Sequence, residues 1–245
     1  GIDTDVFTPG DKLQARRNLS IPEMAFVVGM VAANKGQPPR KGWPQAVAAF
    51  RRLLDTHDDA YLYLHTEPTG AIQGVNLLAM LAGYDIPADR VRFTDPYYSQ
   101  HIGCPPAFVA DVYRSFDVLL SPSYGEGFGI PVVEAQACGV PVIVTDWTAM
   151  SELCGAGWKV AGERVWDEQG AFWKVPHVDA IVAALDEAHT AAHSFAGQAR
   201  EFALSYDHRR VYAEHWQPVL AELERRMQPL PLPLQTVALP ETAAA

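Results

Sequence analysis

Short apolar runs alternate along this chain with segments whose apolar residues recur at the spacing of an α-helix. Each run has the length and the β-branched content of a buried strand, and a helical stretch separates it from the next run. Strands joined through helices pair in parallel, and the helices then cover both faces of the sheet. The pattern therefore predicts an α/β fold with a doubly wound parallel sheet, whose strands lie at 25–31, 60–64, 91–94, 118–120 and 140–144.

Helical periodicity occupies the gaps between these runs and then continues alone. The interstrand helices are predicted at 43–54, 75–81, 108–116 and 130–137. From residue 178 onward only helical spacing remains, with two successive apolar faces. The first face contains Val178, Ile181, Val182 and Leu185, and the second contains Val211, Tyr212, His215, Trp216, Val219 and Leu223.

The two ends of the chain differ from its middle. It begins with Gly1 rather than Met, and GIDTDVFTPG is typical of a linker entering a domain, so we expect a part of a longer polypeptide. The stretch PLPLPLQTVALPETAAA has four prolines and almost no charge, which predicts a flexible extension. The expected organisation is a linker over 1–22, the sheet domain over 23–175, closing helices over 176–227 and a Pro-rich tail over 228–245.

The charge balance excludes one class of partners. Nineteen Lys and Arg against 29 Asp and Glu give the 245 residues a formal net charge of −10. A nucleic-acid surface needs a basic stripe, so we predict no nucleic-acid partner. No apolar run reaches the roughly 18 residues that span a bilayer, and no signal segment opens the chain. We expect a cytoplasmic protein without a transmembrane segment, at most peripheral to a membrane.

The loop after the first strand concentrates positive charge. In AANKGQPPRKGW, Lys35, Arg40 and Lys41 lie within seven positions, and the helix that begins near Trp43 directs its N-terminal dipole toward the same place. Ligands of open parallel sheets bind at the carboxyl ends of the strands. Arginine and lysine beside a helix N-terminus favour phosphate, so this loop predicts a diphosphate site. The alternative is a solvated loop whose charges have no ligand.

The loop after the fourth strand is rich in glycine and carries two carboxylates. In SPSYGEGFGIPVVEAQACGVPV, Gly125, Gly127 and Gly129 expose backbone amides, and Glu126 and Glu134 are eight positions apart. A ligand can approach the glycine backbone closely, and each glutamate can accept hydrogen bonds from hydroxyl groups. The two loops together therefore suit a nucleotide sugar, in which a diphosphate joins two hydroxyl-rich rings. A nicotinamide dinucleotide fits less well, because the glycine spacing is not GxGxxG.

These residues resemble a known family over most of the chain, to about Arg226. EGFGIPVVEAQACGVPV is similar to the E-x7-E signature of retaining glycosyltransferases of family 4, and RKGW resembles their basic phosphate loop. GIDTDVFTP resembles the linker into their second domain, and YDHRRVYAEHWQPVL the closing helix that packs back on the N-terminal half. The resemblance implies the C-terminal, donor-binding half of a GT-B fold. Its sheet domain is then Rossmann-like, and an acceptor domain is missing from this chain.

Carried onto this sequence, the resemblance also implies residue roles. Arg40 and Lys41 would bind the donor diphosphate and stabilise the departing nucleotide, and Glu126 would complete the catalytic set. Glu134 would hold the ribose hydroxyls. The remaining donor-binding residues would be Gly127, Phe128, Gly129 and Ile130, with the amides of Phe128 and Gly129 holding the sugar.

One position departs from the family pattern. Many members carry arginine after Gly29, where this chain has Met30, so one phosphate contact is absent. Lys35 is the residue that could replace it. The base, the sugar and the acceptor are not specified, although residues 93–95, at the end of the third strand, are where we expect base contacts.

Three alternatives remain for the function. The chain could be a nucleotide-sugar-binding module without catalysis of its own, or a retaining hexosyltransferase that needs a second domain and is inactive alone. Less favoured is a glycoside hydrolase using Glu126 and Glu134, since that chemistry does not require the basic loop.

No metal or cofactor is expected beyond the nucleotide-sugar substrate. Asp3 and Asp5 spell Asp-x-Asp, but in the opening linker rather than after a strand. His101, His177 and His215 lack the spacing of metal ligands and are expected to be packed or hydrogen-bonded. Three cysteines, Cys104, Cys138 and Cys154, fit neither a metal knuckle nor a disulfide framework, so we expect reduced thiols.

Overall fold

Six strands pair in parallel in the computed structural model of this chain, which describes residues 1–71, 73–98, 102–168 and 170–227. They are β1 (Phe26–Val31), β2 (Ala60–His65), β3 (Val91–Phe93), β4 (Val118–Ser121), β5 (Val142–Thr145) and β6 (Gly157–Val160). Their spatial order, β3-β2-β1-β4-β5-β6, is that of doubly wound dinucleotide-binding folds. The predicted fold class is confirmed.

Helices cover both faces of the sheet. They are α1 (Lys12–Leu19), α2 (Trp43–Leu53), α3 (Leu77–Gly83), α4 (Pro106–Arg114), α5 (Ile130–Ala137), α6 (Ala149–Leu153), α7 (Val178–Ala191), α8 (Ala196–Leu204), α9 (His208–Val211) and α10 (Gln217–Arg226). Helices α2, α3 and α7 pack on one face, and α1, α4, α5, α6 and α8 on the other. Each predicted strand and interstrand helix is found within one or two residues of its expected bounds.

The sheet separates two apolar cores. Successive side chains of a strand point to opposite faces, so Val28 packs against α2 and α7 whereas Val27 packs against α4 and α5. Both valines are completely buried. This burial on both faces explains why β1 is apolar throughout its length, as parallel strands between two helical layers are.

The opening segment 1–22 is more structured than the expected linker. It contains α1, which Asp11 caps by accepting a hydrogen bond from the amide of Gln14. Arg16 is buried and donates to the carbonyl of Ser115 and to the carboxylate of Asp117, at 2.9 and 2.6 Å. Because α1 has only a short apolar stripe, its periodicity alone did not reveal it. Arg16 and Asp117 fasten the segment to the start of β4.

A two-stranded hairpin was also absent from the sequence prediction. Strands β7 (Gly162–Trp166) and β8 (Phe172–Pro176) pair antiparallel outside the main sheet. Most of their side chains are exposed or half-buried, including Trp166 and Phe172, whose rings pack edge to face. A strand that buries neither face lacks the apolar signal by which β1–β5 were recognised. The edge strand β6 was also not predicted, because it is short and half-exposed and so has only a weak apolar signal.

The closing segment consists of helices within the described residues, as expected from residue 178. Helix α7 packs on α2, whereas the second apolar face is largely exposed. Its exposed members include Tyr212, Trp216, Val219 and Leu223. In the described ranges, none of the helices combines the length and apolar content needed to cross a bilayer. The Pro-rich tail over 228–245 and His101 lie outside the described residues.

Gln136 joins α5 to the turn that leads into β6. Its side chain is completely buried and makes four hydrogen bonds. The amide nitrogen donates to the carbonyls of Val132 and Leu153 at 2.8 and 2.7 Å, and the oxygen accepts from the backbone of Gly155 and Ala156, both at 2.9 Å. A buried polar group is tolerated here because every hydrogen-bonding atom of the amide has a partner.

Replacing Gln136 with leucine should destabilise the fold strongly. The apolar side chain has a similar size but removes four hydrogen bonds, including the partner of the buried Ala156 amide, whereas the Gly155 amide keeps its bond to the carbonyl of Leu153. We therefore expect a loss of about 3–5 kcal/mol in the free energy of unfolding. Urea denaturation of Gln136→Leu measures this loss. Gln198→Leu is the matched control, because Gln198 is exposed and makes one bond to the same turn, with the carbonyl of Gly155. Equal losses in the two variants would contradict the role assigned to Gln136.

Candidate functional site

The two loops singled out in the sequence meet at one edge of the sheet. Strands β1 and β4 are neighbours, and their helices α2 and α5 lie on opposite faces. Loops that diverge from neighbouring strands leave a crevice outside the carboxyl ends, where doubly wound folds bind ligands. The basic loop over 32–42 and the glycine-rich loop over 122–129 form the walls of this crevice.

Backbone contacts hold the two loops together. Gly42 adopts a φ of 74° and lies under Pro122, where a Cβ atom would come within 2.2 Å of the proline carbonyl oxygen. The amide of Tyr124 donates to the carbonyl of Arg40 at 2.8 Å, and the Arg40 side chain donates to the carbonyl of Gly125, also at 2.8 Å. Only glycine meets both demands at position 42, since other residues would clash and strain the backbone.

This approach brings Glu126 into an ion pair with two cations. The carboxylate accepts hydrogen bonds from Arg40 at 3.0 Å and from Lys41. Burial alone would raise the pKa of Glu126, but hydrogen bonds from Lys41, Ser123 and Arg40 and the charge of Lys41 outweigh it and lower that pKa. Glu126 is therefore ionised at neutral pH, and the three residues expected to be catalytic lie together.

A cavity of about 640 Å³ opens beside this ion pair. Its walls come from the basic loop, the glycine-rich loop and β8. The lining residues include Lys35, Arg40, Lys41, Glu126 and Gly127, together with Thr148, Phe172 and Trp173. The volume suits a small organic ligand, and the cations on its wall favour an anionic one.

Lys35 and Met30 occupy different environments. Lys35 is exposed on the cavity wall, whereas Met30 is buried within β1 and packs in the core. Met30, where the resemblance predicts an arginine, thus packs in the core and supplies no charge. The buried Asn34 side chain positions the start of the basic loop, donating to the carbonyls of Glu67 and Val75 at 2.8 and 2.7 Å.

The other expected sugar-binding residues follow Glu126 into α5. Gly127 lines the cavity, and Gly129 precedes the helix with a φ of 106°. Phe128 and Ile130 are exposed, and the Phe128 ring packs edge to face on Tyr206 at 5.9 Å between centroids. Of these four residues only Gly127 lines the cavity, and the backbone leads from it to the N-terminus of α5, where free amides suit anionic or hydroxyl oxygens.

Glu134 has a different hydrogen-bond partner from Glu126 and does not line the 640 Å³ cavity. It accepts a hydrogen bond of 2.8 Å from the hydroxyl of Tyr113 on α4. Burial raises the pKa of Glu134, and the hydrogen bond from Tyr113 offsets part of that rise. The structure therefore places Glu134 near the glycine-rich loop but among different neighbours from Glu126.

The residues expected to contact a base line a second cavity of about 400 Å³. Phe93, Thr94 and Asp95 lie on its wall with Tyr98 and Phe108. Thr94 is buried, and its hydroxyl is 3.0 Å from the hydroxyl of Tyr63 and 2.7 Å from Nδ1 of His65. This apolar cavity, between the end of β3 and α4, is a different space from the cavity beside Glu126.

Sequence reasoning missed the part of the site supplied by later elements. The Thr148 hydroxyl accepts a hydrogen bond of 3.0 Å from the amide of Glu126. Phe172 and Trp173 reach the cavity from β8, and the Trp147 indole donates to the carbonyl of Phe172 at 3.2 Å. No local spacing relates these residues to the two loops. A strand prediction for β8 would have been the necessary signal.

The acidic, histidine and cysteine residues that the sequence analysis considered as metal ligands have other environments in the structure. Asp3 accepts hydrogen bonds from the amides of Asp5 and Val6, and Asp5 pairs with Arg209 at 2.9 Å. His177 and His215 are exposed, so of the expectation that they are packed or hydrogen-bonded, the packing is not found. The three cysteines are free thiols, as expected, and burial raises the pKa of Cys138 to about 12.

The raised pKa of Glu134 predicts how a Glu134→Gln variant responds to pH. The folded protein binds a proton at Glu134 more tightly than the unfolded chain does, so the parent loses stability as the pH rises through that folded-state pKa. Glutamine cannot ionise and still offers an oxygen to Tyr113. Relative to the parent, Glu134→Gln should therefore gain stability as the pH rises from about 4 to about 8. Urea denaturation at both pH values tests this, with the exposed Glu201→Gln as control; a constant difference would contradict it.

Comparison with known proteins identifies the family of this chain. Residues 25–190 match the family described as glycosyl transferases group 1. The D-inositol 3-phosphate glycosyltransferase of Stackebrandtia nassauensis is 36% identical over 151 residues, which cover 58% of this chain and 31% of that enzyme. The chain thus matches about one third of the length of such curated relatives.

Solved structures share the fold at lower identity. The C-terminal domain of a glycosyl transferase group 1 family protein from Francisella tularensis superposes with a TM-score of 0.60 and 20% identity, covering 84% of this chain and 97% of that domain. Anabaena HepE in complex with UDP and glucose gives a TM-score of 0.67 at 19% identity, covering 93% of this chain and 55% of HepE. The Rossmann-like sheet corresponds to one half of a GT-B fold, and the chain belongs to the glycosyl transferases group 1 family.

Proposed function

We propose that this chain is the donor-binding domain of a retaining glycosyltransferase of family 4, which binds a nucleoside-diphosphate sugar and transfers the sugar to an acceptor. The observation that carries the proposal is the ion pair of Arg40 and Lys41 with Glu126 on the wall of a 640 Å³ cavity. The UDP and glucose bound to Anabaena HepE support a donor of this chemical class. In this proposal the donor domain spans 23–175, with closing helices over 176–227.

The diphosphate would take the place of the Glu126 carboxylate on the two cations. Arg40 is half-exposed at the cavity and presents a planar fork that suits phosphate oxygens, while Lys41 supplies a point charge. Release of these cations leaves Glu126 free to accept hydrogen bonds from hydroxyls of the sugar ring. Gly127 and the amides of Phe128 and Gly129 would hold the same sugar, and Glu134 the ribose hydroxyls.

Leaving-group stabilisation is the main chemical task of such a site. When the bond between the sugar and the diphosphate breaks, negative charge accumulates on the departing phosphate, and Arg40 and Lys41 are already fixed beside it. Retention follows in this proposal if the acceptor attacks from the face that the diphosphate leaves. The reaction requires no metal, since the two side-chain cations neutralise the charge that a bound ion would otherwise neutralise.

The acceptor would be held mainly by another domain. In our proposal the donor occupies the cavity that this chain supplies. The curated relatives are about three times as long as the part that this chain matches. The exposed face of α10, with Val219 and Leu223, is the surface we propose for that domain to cover. An acceptor could be a sugar, a lipid or another hydroxyl compound.

A glycoside hydrolase would need both glutamates around one sugar bond. Glu126 lines the cavity, whereas Glu134 is hydrogen-bonded to Tyr113 of α4. Two cations paired with Glu126 would also hinder its use as a nucleophile or base. The transferase is therefore the better interpretation of the same residues.

Three alanine variants should separate nucleotide binding from sugar binding. We expect Lys41→Ala and Glu134→Ala to weaken UDP, GDP or ADP binding, whichever the parent prefers, by about tenfold or more, as loss of a charge-assisted hydrogen bond does. Glu126→Ala should instead reduce the extra affinity for the nucleotide sugar over the nucleotide alone. Calorimetry on each ligand gives these values, after a thermal-shift screen of the three nucleotides and their sugars.

The matched control is Lys159→Ala, which removes a lysine from the exposed side of β6, outside the cavity. It should bind the nucleotide like the parent. If all three site variants bind both ligands like the parent, the site assignment fails.

The isolated 245-residue chain should bind the donor weakly and turn it over negligibly. Its cavity provides donor contacts, whereas rapid transfer also needs the acceptor positioned against the sugar. A coupled assay of nucleotide release, with and without simple acceptor sugars, measures turnover. Robust transfer by this chain alone would contradict the two-domain proposal, whereas donor binding without turnover would agree with it.

A further inference from the structure

Two histidines and an aspartate that are distant in sequence meet at the edge of the sheet opposite the cavity. His57 lies in the turn between α2 and β2 with Asp59, and His189 lies in the last turn of α7. One potential ligand atom from each residue lies within 4.8 Å of the others. We propose that His57, Asp59 and His189 bind a divalent transition-metal ion of the zinc type, which fastens α7 to the α2–β2 turn.

The two imidazole rings are held in place before any ion binds. They stack with centroids 4.0 Å apart and planes inclined by 25°, and the rings of His189 and Phe26 pack edge to face with centroids 4.9 Å apart. Their exposed fractions are 21% for His57 and 25% for His189, whereas Asp59 is 44% exposed. The rings are thus held together in a half-buried position. A ring nitrogen binds a metal along a lone pair in the ring plane, so the two stacked rings must tilt toward each other for both to reach one ion, which can enter from the side of the exposed carboxylate.

A fourth residue orients the ligand set. The Nε2 atom of His57 lies 3.0 Å from a carboxylate oxygen of Asp186 on α7. When that nitrogen donates its hydrogen to Asp186, the other ring nitrogen of the neutral imidazole keeps the lone pair that a metal needs. Metal-binding histidines commonly have such a carboxylate partner, which fixes the tautomer and strengthens the ligand. Asp186 is therefore a positioning residue in this proposal.

The distances and charges suit a zinc-type ion. A tetrahedral ion about 2 Å from each donor requires donor atoms roughly 3.3 Å apart. Nε2 of His189 already lies 3.0 and 3.2 Å from the two oxygens of Asp59, and a ligand atom of His57 lies within 4.8 Å of both residues, so side-chain rotations of His57 and Asp59 would bring the three donors to one ion. Two carboxylates and two neutral imidazoles carry a charge of about −2, which one divalent cation balances. Magnesium and calcium are disfavoured because they prefer oxygen ligands.

The fold also favours a cation at this position. His189 is one turn from the C-terminus of α7, and the turn with His57 follows the C-terminus of α2, with the His57 amide donating to the carbonyl of Leu53 at 2.9 Å. The carboxyl ends of helices carry partial negative charge. The site lies at the amino ends of the strands, on the far side of the sheet from Arg40 and Lys41.

Calorimetric titration of the whole chain with zinc chloride, after treatment with EDTA, tests the proposal. The parent should bind one equivalent, with a rise in melting temperature that magnesium chloride does not produce. His189→Ala should weaken zinc binding more than tenfold, and Asp186→Asn by about tenfold. His193→Ala is the matched control: His193 is exposed in the turn that follows α7, and this variant should bind zinc like the parent.

Asp59→Asn gives a second, milder test, because asparagine keeps the shape and removes the charge of an exposed ligand. It should fold like the parent in EDTA and lose zinc affinity. Circular dichroism and the melting temperature in EDTA establish that each variant is folded. Absence of a stoichiometric zinc site in the parent would overturn the proposal, as would equal affinity in the parent, His189→Ala and Asp59→Asn.

Discussion

The candidate donor site depends on one close approach between two backbones. Gly42 lies beneath the carbonyl of Pro122, and the Tyr124 amide bonds to Arg40, so the loops after β1 and β4 form one unit rather than two flexible walls. At the switch point of a doubly wound sheet, here between β1 and β4, the helices that follow the two neighbouring strands pack on opposite faces, which separates the following loops. Because Gly42 has no side chain, the two loops can nevertheless approach each other closely. Arg40, Lys41 and Glu126 are brought together as a consequence.

The resulting ion pair is a prepared electrostatic site. Two adjacent cations in a protein of net charge −10 are stabilised by Glu126, whose hydrogen bonds with them lower its pKa despite its burial. Exchange of that carboxylate for a diphosphate would keep the cations paired throughout, and little reorganisation would be required when the leaving group gains charge. Preorganisation of this kind explains why the basic loop and the first glutamate belong to a single site, although they are 85 residues apart.

The features that the sequence predicts well are those with a local periodic signal. Strands β1–β5 and the helices between them bury apolar faces, and α2 begins at Trp43, as predicted. The hairpin β7–β8 buries little, so its contribution of Phe172 and Trp173 to the cavity has no such signal. Two glutamates eight positions apart indicated two hydroxyl-binding groups. The structure shows that they face different partners, because Tyr113 on α4 holds Glu134, a contact that only the packing of α4 on α5 determines.

Helix direction links the two ends of the sheet. In a parallel α/β fold, helices begin near the carboxyl ends of strands and end near the amino ends, so one edge presents helix N-termini and the other C-termini. The first edge favours anions, and the basic loop and the start of α5 lie there. The second favours cations, and the stacked rings of His57 and His189 lie there with Asp59 and Asp186. The same topology therefore favours an anion at one edge and a cation at the other. Because the rigid sheet separates them, occupancy of the histidine cluster should change the stability of α7 without changing the charges that face the donor cavity.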